Sequence, residues 1–177
     1  MILSDRDILK QIRLKNIKIT PCPEKIEGSS VDLTLSNQFK RLKSQMIDIK
    51  DKNTFEYEEI TANELIFAPG EFILASTVEN IDLSSKISAF VAGRSSFARL
   101  GLSVENAGFF DAGFSGTATL EMCNTSNRPI KIYAGVKICQ IIFFEMKSRP
   151  KVPYNKKKTA KYNYQILPGG SKIYEEN

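Results

Sequence analysis

A glutamate stands in the middle of an alternating stretch, Thr117-Ala118-Thr119-Leu120-Glu121-Met122-Cys123. Strand alternation sends Ala118, Leu120 and Met122 to one face and Thr117, Thr119, Glu121 and Cys123 to the other. A carboxylate among small, semi-polar neighbours could be partly buried there, which would raise its pKa toward the working range of a general acid–base. The pattern equally suits a carboxylate that faces solvent. Upstream, Gly93-Arg94-Ser95-Ser96-Phe97-Ala98-Arg99 follows a strand directly. Its glycine lets a backbone approach closely, its serines offer hydroxyl donors, and its two guanidiniums are fork-shaped donors for phosphate. It is not a P-loop, because the GxxxxGK(S/T) pattern is absent. A polar turn with surface arginines would read the same way. Between these stretches, Ala107-Gly108-Phe109-Phe110-Asp111-Ala112-Gly113-Phe114 sets Asp111 between two glycine turns. Loops carry functional acids, and Asp is also a common turn former.

The chain has no histidine. Ser-His-Asp and Cys-His catalysis are therefore excluded, as are His-ligated metal sites. The three cysteines, Cys22, Cys123 and Cys139, have no CxxC spacing. That argues against a structural zinc, a disulfide framework or the zinc ligand set of nucleoside deaminases, and for a reducing cytosol. Acid–base chemistry at neutral pH falls to a carboxylate, a Lys, a Tyr or a Cys.

These residues must be positioned by a chain of 177 residues, 42% hydrophobic and 25% charged, which is the size and composition of one globular domain. No apolar run is long enough to span a membrane, and the opening residues lack a signal-peptide layout. Ser4 can cap a first helix, with Asp7 in a capping-box position and Ile8, Leu9 and Ile12 as its apolar stripe. Asn16 is its expected stop. Val31, Leu33 and Leu35 then alternate at strand spacing. Ile66-Phe67-Ala68 and Phe72-Ile73-Leu74 flank a Pro69-Gly70 turn. Residues 87–92, 117–123, 130–133 and 137–145 complete a series of short strands, so the fold expected is a mainly β barrel or sandwich.

The net charge of +5 is unevenly placed. Seven basic residues and no acidic one lie between Lys147 and Lys161, leaving 18 of the 25 basic residues against 20 acidic ones elsewhere. Such a tail suits a polyanionic partner, nucleic acid or nucleotide phosphates, and suits a solvated tail as well. With Pro150, Pro153, Gly169 and Gly170, this segment is expected to be a disordered tail or an arm that orders over a ligand or a neighbouring subunit.

Taken together and in order, the motifs resemble the dCTP deaminase and dUTPase superfamily, and most nearly the trimeric dCTP deaminases with their short bifunctional bacterial members. The resemblance covers nearly the whole chain. It rests on Met1 to Ile8, on Ser30-Val31-Asp32-Leu33, on Gly93 to Ser96 continuing through Ala98-Arg99-Leu100-Gly101-Leu102, on the spacing from Asp111 to Glu121, and on Pro153-Tyr154-Asn155 with Lys161-Tyr162 and Gln165. It implies one domain over residues 1–177, a dUTPase-like distorted β-barrel or jelly roll with a short N-terminal helix, and a mobile basic C-terminal lid over 147–177.

The resemblance also implies roles. Arg94, Ser95, Ser96, Phe97, Ala98 and Arg99 occupy the positions that hold the nucleotide and its triphosphate. Asp111 sits where the family binds the deoxyribose 3′-hydroxyl. Thr119 and Leu120 offer strand backbone to the base, Gln140 lies at a nucleotide-contact position, and Tyr154, Lys161 and Gln165 close over the phosphates. Glu121 takes the place of the acid–base, with Ser95 and Arg99 ordering the attacking water. Magnesium would ride on the triphosphate, and zinc is not needed. Gly108-Phe109 resembles enzymes that also cleave dUTP to dUMP, with Asp111 supplying a base or water contact.

The implied partners are dCTP, dUTP, dTTP as a feedback inhibitor and two further copies of the chain as a homotrimer. Nucleic acid and membrane are not among them, and the compartment is cytoplasmic. Three other readings stay in view: a deaminase that releases dUTP, a plain dUTPase, and a nucleotide-binding protein without turnover. The chain departs from the commonest pattern in a one-residue-shorter interval from Arg99 to Asp111, in Val104-Glu105-Asn106 where many relatives carry His, and in Ala112 after the aspartate.

Overall fold

The computed structural model of the protein describes residues 1–104 and 107–176. Glu105 and Asn106, which belong to the departing segment after Val104, lie outside the described residues, as does Asn177.

Helix α1 (Asp5–Arg13) starts where its capping residue predicts: Ser4 Oγ accepts the Asp7 N–H and donates back to the Asp7 carboxylate at 2.9 Å. The stripe is narrower than expected. Ile8 is buried and Ile12 packs against the core, but Leu9 is exposed and Gln11 is buried in its stead. The reason is Asn16, whose amide and backbone N–H both bond Gln11 and draw it inward. The helix ends at Arg13 with Leu14 as its cap, so Asn16 closes it from beyond its last turn rather than ending it in place.

The strands are β1 (Ile17–Thr20), β2 (Val31–Leu42), β3 (Tyr57–Thr61), β4 (Glu64–Phe67), β5 (Phe72–Leu83), β6 (Ile87–Gly93), β7 (Leu102–Val104), β8 (Phe109–Phe110), β9 (Ser115–Asn124), β10 (Ile130–Tyr133) and β11 (Lys137–Glu145). Nine form one sheet along the path β7-β9-β5-β2-β11-β6-β8, with β1 on β5 and β3 on β2, and every pairing is antiparallel. The alternation predicted for β2 is observed: Val31, Leu33 and Leu35 are buried, as is Phe39 farther along the strand, together with Ile73, Leu120 and Phe143 from its neighbours and the strand beyond them. Pro69-Gly70 does turn between two strands, yet they do not pair with each other. β4 leaves for a separate two-stranded sheet with β10, while β5 enters the main sheet between β2 and β9.

Residues 147–176 carry no strand, only 3-10 turns at Tyr154–Lys156 and Ile173–Glu176. The segment lies on its own chain: Tyr154 N–H donates to Ala112 O at 2.9 Å and Thr117 N–H to Gln165 O at 2.9 Å. β7 reaches β9 only at Met122–Asn124, so the rest of that edge offers backbone groups to the arm.

Candidate active site

Strand β9 brings the chemistry into place. Ala118, Leu120 and Met122 anchor it in the core at no exposure, and alternation turns Thr119 and Glu121 to the opposite face. That face forms the wall of a cavity of about 450 Å3, which also takes in Phe109 of β8, Asp111 just after it, and Tyr154 and Gln165 from the arm. Of the two readings left open by alternation, the half-buried one holds. Burial pushes the Glu121 carboxyl above its ordinary value, and a hydrogen bond from its own backbone only partly offsets this. Desolvation, rather than a neighbouring charge, is the cause, which is how a carboxylate is kept ready to exchange protons near neutral pH.

The arm roofs the cavity through specific bonds. Gln165 Nε2 donates to Thr117 O and to Thr119 Oγ1, each at 3.0 Å, and Gly169 N–H donates to the same Thr119 hydroxyl oxygen at 3.0 Å. Gln165 Oε1 is buried without a hydrogen-bond partner among the described residues. Farther along, the Ser171 N–H donates to Tyr57 Oη at 3.0 Å and the Lys172 N–H to Tyr162 Oη at 3.1 Å. Gly170 makes this possible, because a Cβ there would stand 2.7 Å from the Tyr57 ring.

The Gly93–Arg99 stretch lies elsewhere on the chain. It forms α2 (Ser95–Ala98), a single helical turn directly after β6. Arg94, Ser95, Ser96 and Gln140 line a second cleft of about 360 Å3 with Asp32. Arg94 spans it, donating to Lys137 O at 3.0 Å and lying 3.5 Å from Asp32. Ala98 and Arg99 are exposed, and Phe97 packs partly against the core. Leu120 is a core side chain, so only its backbone faces outward. Lys161 lines neither space; its ammonium meets the Glu176 carboxylate at 2.5 Å. Gly108 is buried, its carbonyl accepting the Val91 N–H at 2.8 Å, while Phe109 beside it is exposed and lines the first cavity. Among the described residues, no group of three or more Cys, Asp or Glu side chains could hold a metal ion.

Sequence reasoning missed Tyr57, Phe72, Leu74 and Phe114, which supply part of the cavity's apolar wall. Phe72 and Leu74 belong to β5 and oppose Cys123 and Glu121 across the β5–β9 ladder. The signal was present in the strand pattern but not the pairing. Tyr57 carried no local signal at all, because its partner in the arm is 114 residues away.

A family model described as dCTP deaminase-like matches residues 2–146. A protein of Sulfurihydrogenibium sp. named "dCTP deaminase, dUMP-forming" is 44% identical over 180 residues, covering 98% of each chain. Among solved structures, the 2′-deoxycytidine 5′-triphosphate deaminase of Agrobacterium tumefaciens matches with a TM-score of 0.63 at 22% identity. It covers 80% of this chain, which spans only 46% of that one. The native EIAV dUTPase matches with a TM-score of 0.52 at 21% identity, covering 80% of this chain and 97% of that one. These two likenesses give the fold, the dUTPase-like β architecture expected from the motifs. The family follows from the sequence matches: the chain belongs to the dCTP deaminase-like family.

Proposed function

We propose that the protein converts dCTP to dUMP, ammonia and diphosphate. The observation that carries this reading is Glu121, a desolvated carboxylate with a raised pKa on the wall of a roofed cavity. The Sulfurihydrogenibium relative, matched along almost all of its length, is named for the same reaction. In the first step Glu121 takes a proton from water as the water oxygen bonds to C4 of cytosine. That proton passes to the ring nitrogen, the carboxylate carries the proton left on the new C4 hydroxyl to the amine, and ammonia leaves as the carbonyl forms. Ser95 and Arg99 order the water and stabilise the developing charge, Arg99 remaining cationic throughout.

Asp111 accepts the deoxyribose 3′-hydroxyl, and Arg94, Ser96, Tyr154, Lys161 and Gln165 hold the triphosphate. Magnesium arrives as part of the substrate, carried by that triphosphate. In the second step a water held at the Asp111 loop attacks the α-phosphorus in line, and diphosphate leaves. The Gly108-Phe109 pair, which resembles that of enzymes that also cleave dUTP, and the place of Phe109 on the cavity wall support this second activity. Ser95 and Ser96 line a different cleft from Glu121 on one chain, which supports a homotrimer whose sites draw residues from neighbouring copies.

The test is incubation of the protein with dCTP and magnesium, with products resolved by anion exchange. dUMP and diphosphate without accumulating dUTP are the expected products. Accumulation of dUTP would leave a deaminase alone, and untouched dCTP with cleaved dUTP would leave a dUTPase.

A further inference from the structure

Three consecutive lysines, Lys156-Lys157-Lys158, sit in the arm shortly before Lys161. Among the described residues, Lys157 is the one of the three that forms a salt bridge, its Nζ lying 2.8 Å from Asp111 Oδ2. Two half-exposed side chains often meet with little energetic consequence. Here the backbone beneath the pair is held on both sides. Tyr154 N–H donates to Ala112 O at 2.9 Å, and Lys157 N–H donates to Tyr154 O at 3.1 Å, closing the Tyr154–Lys156 turn.

Gly113 has φ +92°, and a Cβ there would come within 3.0 Å of Pro153 Cβ and 3.1 Å of Tyr154 N. Arm and loop are thus in backbone contact, at a position whose dihedral favours glycine. The Tyr154 ring packs 6.1 Å from Phe114, and the Lys157 ammonium lies 5.9 Å from the centre of the same Tyr154 ring. The loop that carries Asp111 therefore seats the turn that returns a cation to Asp111.

We propose that Lys157 is the positioning residue for Asp111. The ammonium holds one carboxylate oxygen by a charge-assisted hydrogen bond, which fixes the rotamer and leaves the other oxygen to accept the sugar 3′-hydroxyl. Lys157 thereby contributes to the enzyme's preference for a nucleotide that carries that hydroxyl. This rests on the reading of Asp111 as the sugar-binding acid.

The test compares dissociation constants of dCTP and 2′,3′-dideoxy-CTP, both with magnesium, by calorimetry in a Glu121→Gln background, whose turnover is expected to be slowed by about 10²- to 10⁴-fold. The background protein is expected to prefer dCTP by roughly tenfold, the effect of one hydrogen bond to a charged acceptor. Lys157→Met is expected to lower that preference by about threefold to fivefold, and Lys157→Arg to restore it. The affinity for dideoxy-CTP stays unchanged, since it makes no bond to Asp111. Lys156→Met removes the same charge one residue away and leaves the preference intact. A preference undiminished in Lys157→Met, or diminished equally in Lys156→Met, overturns the proposal alone. No preference in the background protein, or no binding of either nucleotide, overturns the Asp111 reading and the proposal with it.

Discussion

Gln165 and Thr119 meet through a 3.0 Å hydrogen bond, Nε2 to Oγ1, that fastens the C-terminal arm to the strand carrying Glu121. The same hydroxyl oxygen accepts the Gly169 N–H, so one threonine side chain holds the arm at two points. Thr119 lies two residues before Glu121 on the same face, which places the fastening beside the acid.

Gln165→Ala removes the side-chain bonds to Thr119 Oγ1 and Thr117 O and is expected to loosen the arm. The KM for dCTP rises by about tenfold, the effect of losing one to two hydrogen bonds. Trypsin cleaves the arm at Lys156–Lys158 faster than in the parent protein. An unchanged KM and digestion pattern would show that the arm's place over the cavity does not depend on Gln165.

Glu121→Gln is expected to lower kcat by about 10²- to 10⁴-fold while dCTP still binds. In the parent protein kcat/KM should fall on the acid side with an apparent pKa above the ordinary glutamate value of 4.5, because burial raises this group. Retained turnover in the Gln variant would remove Glu121 from the chemistry.

Stability tests the same burial independently. A carboxyl raised in the folded state favours its protonated form there, so its contribution is complete below the unfolded pKa and lost as pH rises through the folded one. Glu121→Gln should therefore melt higher than the parent at pH 7, with the difference vanishing as pH falls below 4.5. Thermal scans across that range check it, and a Gln variant that melts lower at pH 7 contradicts it.

Asp111→Asn is expected to reduce dUMP formation on the order of 10²-fold, as for removal of a proton-transferring group. If the second step depends on this carboxylate more than the first does, dUTP accumulates. Product ratios from anion exchange give the answer, and equal slowing of both products would assign Asp111 to binding alone.

Glu79 is expected to be structural. It is buried in β5, where its carboxylate accepts the Thr34 N–H at 2.8 Å and the Thr34 hydroxyl at 2.6 Å, with Lys137 Nζ 3.6 Å away. Glu79→Ala leaves the Thr34 N–H without that acceptor and should cost about 2–3 kcal/mol, read from denaturant unfolding. A change under about 0.5 kcal/mol would show that water replaces the carboxylate.

Much of this was legible because period-two alternation sets strand faces. Ala118, Leu120 and Met122 could be assigned inward and Glu121 outward from spacing alone, and Ser4 and Asp7 marked the first helix. Alternation does not say what covers the outer face. The exposure of Glu121 therefore stayed open until the arm was seen over it, held through Gln165 and Gly169. Leu9 was assigned to the buried stripe because apolar spacing ignores the pull of a polar pair such as Gln11–Asn16. Tyr57 escaped notice and Gly170 read only as part of a tail or arm, because their packing has meaning only in contact with each other.

Strand β5 pairs Leu35 of β2 with Thr77 and Cys123 of β9 with Phe72, so its neighbours come from distant parts of the chain. Such pairings close long loops before they are rewarded by contacts, and chains built this way fold in milliseconds to seconds rather than microseconds. The wall bearing Glu121 completes only once β9 has joined β5, and the roof only once the arm has followed. During synthesis the arm emerges after β9, so the roof closes only after the wall can form, and nucleotide capture would report the later of the two steps.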